Sequence, residues 1–342
     1  TPGRVLSATM VMIRRASLLL LFASAHGLRI AITGSNSGIG RAAARKLVGD
    51  GHTVFHACRT AEGAQQAAAA AGGGVPMVCD LADLASVRQF ASELQQEPGL
   101  DVLCLNSGVS PSRKAEQPTR TKDGFEATIG INHLGHFYLA NLVQPLLAGS
   151  GGRVVVTASG VHDPESAGGT VQGDPATGAT LGDLSGLGAR EGGSVMVDGA
   201  TSFGGAKAYH DSKLCNVLFA REASRRWADV CVRSFNPGLI TSTGLFRAAR
   251  EDNWLSTAIF AFVAEKLIGF AVPVEVGGAR LVYMALADED EVPSGSYLST
   301  ASPTSQAASR AEGFDEANIS KEAQDDALAA RLWERSAEIV GL

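Results

Sequence analysis

The stretch Thr33-Gly34-Ser35-Asn36-Ser37-Gly38-Ile39-Gly40 decides the fold of this chain. Just before it, residues 28–33 form a short continuous apolar run of strand type. Just after it, residues 39–48 carry apolar positions at helical spacing. A glycine triplet between a strand and a helix has a mechanism. Gly34 permits a tight turn, Gly38 lets a pyrophosphate approach the backbone, and Gly40 lets helix and strand pack closely. The helix N-terminus then faces the negative charge. The loop residues Gly34, Ser35, Asn36, Ser37, Gly38, Ile39 and Gly40 are therefore expected against a dinucleotide.

The same alternation recurs along the chain. Residues 52–58, 75–79, 102–106, 154–159 and 230–236 are strand-like, with helix-length segments between them. Strands apolar on both faces and joined by helical crossovers imply a parallel sheet covered on both sides. The expected fold class is α/β, a doubly wound Rossmann-type three-layer sandwich, with one domain over residues 28–342. Two insertions interrupt it. Residues 160–204 are rich in Gly, Ser, Thr and Asp and too long for a simple connection, so they read as an excursion over the site. Residues 238–274 contain the apolar stretch 254–270, broken by Glu265 and Lys266 and too short to span a bilayer. It reads as a core helix, a lid over an apolar ligand, or a peripheral membrane contact. Residues 299–321 read as a polar loop, and residues 322–340 as a closing amphipathic helix with Leu328, Leu332 and Ile339 inward.

The second strand ends at Ala57-Cys58-Arg59, where an acidic residue would bind the ribose 2′-hydroxyl of NAD. Here the group is basic, and Arg59 can pair with a 2′-phosphate, which favours NADPH. Asp80 and Leu81 close the third strand, where a carboxylate can accept from the adenine amino group or cap a helix. Tyr209 and Lys213 stand four residues apart on one helical face. A lysine ammonium beside a phenol is expected to lower its pKa and ready it for proton transfer. Ser159 and Thr157, at the end of the fifth strand, can polarise a substrate. Asn132 can orient Lys213 through a water.

The 342 residues are 45% apolar and 19% charged, as in a globular protein, and the net charge of -6 offers no footprint for nucleic acid. The five cysteines form no CxxC pair and read as buried thiols of a reducing compartment. His133 and His136 stand one turn apart, but two ligands alone rarely make a metal site, and none is expected. Arg14 and Arg15, the apolar run at 16–23 and Ala23-Ser24-Ala25 have the three parts of a secretory-type signal, so residues 1–27 are expected to be a targeting segment. The alternative is a helix packed on the domain.

Together these residues resemble the short-chain dehydrogenase/reductase family. The resemblance covers Leu28 to the C-terminus: TGxxxGxG at Thr33–Gly40, NxG at Asn106-Ser107-Gly108, the helix asparagine Asn132, Ser159, YxxxK at Tyr209–Lys213, and PG at Pro237-Gly238. It implies Tyr209 as proton donor, supported by Lys213, Asn132 and Ser159. It also implies Asn106, Gly108, Tyr209, Lys213, Pro237 and Gly238 beside the cofactor. Within the family, Ala57-Cys58-Arg59, residues 132–137, 181–187, 205–216 and 243–247 and the closing Leu332-Trp333-Glu334 are similar to a light-dependent branch that reduces a flat tetrapyrrole. That similarity implies plastid location, reached through the N-terminal signal, with the secretory pathway as the alternative. There are two departures. Leu239 stands where that branch usually has a cysteine, and Val156-Thr157-Ala158-Ser159-Gly160-Val161-His162 resembles retinol-dehydrogenase-like relatives. A dark NADP-dependent alcohol dehydrogenase or carbonyl reductase, and a silent NADP- or pigment-binding protein, stay open. So does the oligomeric state.

Overall fold

The structure, a computed structural model, describes residues 27–112, 115–190, 193–242, 251 and 271–342. The targeting segment, the similar stretch at 243–247 and the apolar stretch at 254–270 lie outside the described residues.

The strand readings become one eight-stranded sheet: β1 (Arg29–Thr33), β2 (Thr53–Cys58), β3 (Val75–Val78), β4 (Val102–Leu105), β5 (Arg153–Thr157), β6 (Cys231–Phe235), β7 (Tyr297–Thr300) and β8 (Phe314–Glu316). Their order is β3-β2-β1-β4-β5-β6-β7-β8, and every pair is parallel except β7 with β8. The order reverses between β1 and β4. In an open α/β sheet the crevice for a ligand lies at that switch point, beyond the carboxyl ends of the strands.

The central strands are buried on both faces because helices cover both. One apolar layer joins Ile30, Ile32 and Val54 of the sheet to Ala43, Ala44 and Leu47 of α1 (Gly38–Gly49) and to Leu281, Met284 and Ala285 farther along. The other joins Ala31, Leu103 and Val154 to Phe90, Phe137, Leu214 and Leu332. The helix α2 (Ala61–Ala71) stays on the α1 side, its Ala64 and Ala67 clustered with Cys58 and its Ala71 packed against the first layer, while the second layer takes α3 (Leu84–Leu94), α4 (His136–Ser150) and α5 (Gly205–Arg226). Farther along the chain, α6 (Val274–Leu286) belongs to the first layer and α7 (Asp326–Val340) to the second.

The end of α6 is capped from the sheet. Buried Arg233 donates to Ala287 O at 2.7 Å, and Arg153 donates to Ala285 O at 2.9 Å. Cations there satisfy helix carbonyls that have no intrahelical partner.

Two readings are corrected. The polar loop at 299–321 holds β8 and a 3₁₀ turn at Arg310–Glu312. The closing helix begins at Asp326, not at residue 322: Asp325 caps it by accepting from Leu328 N at 2.9 Å, and Glu322–Gln324 forms a separate 3₁₀ turn. On that helix Leu328 and Leu332 are buried and Ile339 packs half-buried against the same core, as expected, and they are joined there by Trp333. Its ring meets Phe137 at 4.9 Å and Trp227 at 5.5 Å.

Candidate active site

The glycine loop leaves β1 as the sequence predicts. Gly34 has φ +69° and Gly38 φ +52°, values that side chains resist. A Cβ on Gly40 would stand 2.5 Å from Gly34 O and 2.7 Å from Asn106 Nδ2, so helix, loop and β4 meet here with no room to spare. The first turn of α1 carries no acidic residue, and its N-cap Ser37 makes no side-chain capping bond. Its N–H groups therefore face the crevice free for an anion. A cradle that a side chain would fill, at an uncapped helix N-terminus, fits the pyrophosphate of a dinucleotide.

Thr33 organises the far side of this loop. Its hydroxyl accepts from Asn106 N at 2.9 Å and Ser107 N at 3.0 Å, and lies 3.0 Å from His136 Nε2. His136 Nδ1 lies 3.2 Å from Asn132 O, a group that only accepts. The ring therefore carries its proton on Nδ1 and takes the Thr33 proton at Nε2. Burial holds its pKa down at about 3, so it stays neutral. Sequence reading weighed His136 only as a metal ligand. It instead locks the turn of β1 to the helix that carries Asn132. Its neighbour His133 bonds Ser336 Oγ at 2.9 Å, and among the described residues no group of three or more potential ligands gathers around a metal position.

Ser35 differs from expectation. It is fully buried, and its hydroxyl lies 3.1 Å from His56 Nδ1 and 3.6 Å from Cys58 Sγ. His56 Nε2 lies 3.0 Å from Gly73 O, so it donates there and Nδ1 accepts from Ser35. Only the backbone of Ser35 is left for a cofactor. Arg59, just past β2, is exposed, and the Asn36 amide nitrogen approaches Gly63 at the start of α2. Asp80 is not the cap of α3. That cap is Asp83, while Asp80 accepts from Ala82 N at 3.0 Å and Leu81 is buried beside it.

Asn132 sits in a π-helical turn, Gly130–Gly135, that leads into α4. Such turns widen the helix and re-aim a side chain. Its amide nitrogen donates to Val109 O at 2.9 Å and Ser212 Oγ at 3.0 Å, and its oxygen accepts from Val109 N at 2.8 Å. The amide thus ties the exposed Gly108-Val109 segment to α5.

Tyr209 and Lys213 come together as their spacing predicts, with Lys213 Nζ 5.5 Å from the centre of the Tyr209 ring. Lys213 is buried and donates to Thr157 O at 3.0 Å. The Thr157 hydroxyl is buried with no hydrogen-bond partner among the described residues. Tyr209 shares a hydrogen bond with Ser159. The expected pKa direction is reversed. Burial pushes the phenol above its usual range, against the pull of Ser159, and brings Lys213 down to about 8. Both groups lose water on folding, and desolvation disfavours the phenolate and the ammonium alike. The phenol is therefore protonated at neutral pH, the form that donates.

The excursion at 160–204 is fastened to the same helix. Lys207 Nζ reaches Asp211 at 2.7 Å, Asp198 at 3.1 Å and Thr180 O at 2.9 Å, while Asp211 accepts from Thr180 N at 3.0 Å. Burial raises Asp211 to about 7 against the pull of Lys207. A carboxyl raised on folding contributes stability in full below its unfolded pKa, and loses it as pH rises through the folded value. Asp211→Asn should remove that component. The difference in thermal midpoint between wild type and variant should therefore change between about pH 4 and pH 7, measured by calorimetry at both ends. A constant difference would contradict the assignment.

Pro237 and Gly238 follow β6. Their position is held by Arg280, which sequence reading missed. Its buried guanidinium donates to Pro237 O at 3.0 Å, Ser305 O at 2.8 Å and Ala307 O at 2.8 Å, with no carboxylate partner among the described residues. No local pattern announces it, because its acceptors are main-chain groups far along the chain. Leu239 is half-buried, and its carbonyl accepts from Val272 N at 2.9 Å.

A dinucleotide cradle at the switch point, a phenol with a buried amine one turn away, and a serine sharing the phenol's hydrogen bond define a pyridine-nucleotide oxidoreductase. A family model described as short chain dehydrogenase matches residues 29–171. The chain belongs to the short-chain dehydrogenase/reductase family and is an NADP-dependent oxidoreductase. Among its relatives, protochlorophyllide reductase A, chloroplastic, of Oryza sativa subsp. japonica is 39% identical over 333 residues, covering 92% of this chain and 80% of its own. Protochlorophyllide reductase of Avena sativa is 38% identical, covering 92% of this chain and 99% of its own. Among solved structures, an uncharacterised protein from Mycobacterium paratuberculosis superposes with a TM-score of 0.63 at 28% identity, covering 92% of this chain and 94% of its own.

Proposed function

We propose that this chain is a plastid, light-dependent, NADPH-consuming protochlorophyllide reductase that saturates the C17–C18 double bond of the pigment. Identity of 38–39% along nearly its whole length to reductases of that name is the observation that carries the reading. The chloroplastic names of several of these relatives support the location. When bound, NADPH supplies the hydride for one carbon of the double bond.

The chain's own residues supply the rest. Tyr209, held neutral by burial, delivers the proton to the neighbouring carbon. Ser159 fixes the phenol's direction, and Lys213 and Asn132 hold the helix and loop around it. With leucine at 239, proton delivery rests on Tyr209. The excursion anchored through Lys207 and Asp211 would wall a flat apolar substrate, with the stretch at 254–270 as its lid or membrane contact. Purified protein illuminated with NADPH and protochlorophyllide should form chlorophyllide, and a protein that forms none is not this enzyme.

Arg59 is the group that would take the 2′-phosphate. A charge-assisted hydrogen bond contributes about 1.5–3 kcal/mol. Arg59→Ala should therefore weaken NADPH binding by about 10- to 100-fold and leave NADH almost unchanged, read by fluorescence titration of both nucleotides. Equal losses would sink the assignment.

A further inference from the structure

The end of β5 and the turn after it run Val156-Thr157-Ala158-Ser159-Gly160-Val161-His162 and close on a histidine that proton delivery does not use. His162 is buried, 1% exposed. Its Nδ1 lies 2.7 Å from Ser159 O, and Ser320 N lies 3.3 Å from its Nε2. A carbonyl oxygen only accepts and a backbone N–H only donates, so the ring is neutral with its proton on Nδ1. Burial, which holds its pKa below the usual range, agrees with that form.

Each contact of the ring is itself anchored. The Tyr297 ring packs against it at 4.9 Å, edge to face. Ser320 is buried and caps the next turn, its hydroxyl accepting from Ala323 N at 3.2 Å. Ser159 opens the 3₁₀ turn Gly160–His162, and the Ser166 hydroxyl lies 2.7 Å from both Gly160 O and Asp163 O. The ring thus joins the backbone of Ser159 to Ser320, 158 residues beyond His162 itself. The Ser159 carbonyl also accepts from the backbone N–H of His162 at 3.3 Å; a phenylalanine would fill the space and keep that bond but lose the shorter one from the ring nitrogen.

We propose that His162 is a positioning residue for Ser159. Its neutral ring bridges Ser320 N–H to the Ser159 carbonyl and so fixes where the serine hydroxyl meets Tyr209. The proposal rests on Ser159 and Tyr209 as the proton-delivering pair.

The test compares His162→Phe with His162→Asn, because an asparagine amide nitrogen occupies the place of Nδ1 and keeps the bond to Ser159. Four quantities are read: kcat per folded molecule counted by NADPH binding, KM for NADPH, the thermal midpoint, and the ¹³Cζ resonance of Tyr209. The chain has four tyrosines, and the Tyr209 resonance is assigned by its loss in Tyr209→Phe. His162→Phe should lower kcat about tenfold or more with KM for NADPH unchanged, and should shift the Tyr209 resonance. His162→Asn should keep kcat within about threefold and leave the resonance in place. A phenylalanine variant with wild-type kcat and resonance overturns the proposal. So does an asparagine variant that loses about tenfold in kcat at an unchanged thermal midpoint. The resonance needs no substrate, so a wild type inactive on the pigment would overturn the proposed reaction while the resonance still judges His162.

Discussion

Tyr209→Phe should lower kcat by about 10²- to 10⁴-fold, the usual contribution of a positioned proton donor, and leave NADPH affinity nearly unchanged. The substitution removes one oxygen atom. The ring that packs 5.5 Å from Lys213 Nζ remains, and so does the helix around it. The cradle for the dinucleotide lies on β1, α1 and the loop after β4, none of which leans on the phenol oxygen. Loss of a proton donor should appear in kcat and kcat/KM together. Single-turnover product yield, with NADPH titrated separately by fluorescence, distinguishes this from a binding defect. A variant that turns over at the wild-type rate would exclude Tyr209 as the donor.

Lys213→Met should be nearly as damaging, and wild-type activity should show why. Lys213 ionises at about 8 because burial disfavours its charge. A lysine with a lowered pKa is cationic below that value and neutral above it, so its contribution to holding cofactor and phenol fades as pH rises through about 8. The wild-type profile of kcat/KM should therefore fall on its alkaline side near pH 8. In Lys213→Met that limb should vanish and the plateau should drop by about 10²-fold or more. Tyr209 does not produce the limb, since burial pushes its phenol above its usual range. A methionine variant that kept the limb would assign it to another group.

What was legible in the sequence is what is local. The glycine loop, the Tyr209/Lys213 pair and the continuous apolar strands each announce themselves within a few residues, and each stands where the pattern predicts. Short strands at the sheet's far edge escaped. β8 is three residues long with two of them exposed, so it carries neither an apolar run nor an alternation. The pKa directions at the site also escaped, because spacing puts Lys213 beside Tyr209 but says nothing of how deeply both are packed. The same holds for Arg280, whose acceptors include main-chain carbonyls at 237 and 305, and for His162, whose partner is Ser320. Side chains that bond distant backbone leave no periodic trace. Ser35 and His136 show the converse: a motif names the residue, while its neighbours in space decide which way the side chain points.

The most direct measurement of the central claim mixes the purified chain with NADPH and protochlorophyllide in darkness, records the absorbance, and then applies a single saturating flash. The proposed function predicts no change in the dark and chlorophyllide absorbance after the flash, with NADPH consumed in equal amount. No chlorophyllide after the flash, together with consumption of all-trans-retinal in the dark, would contradict it.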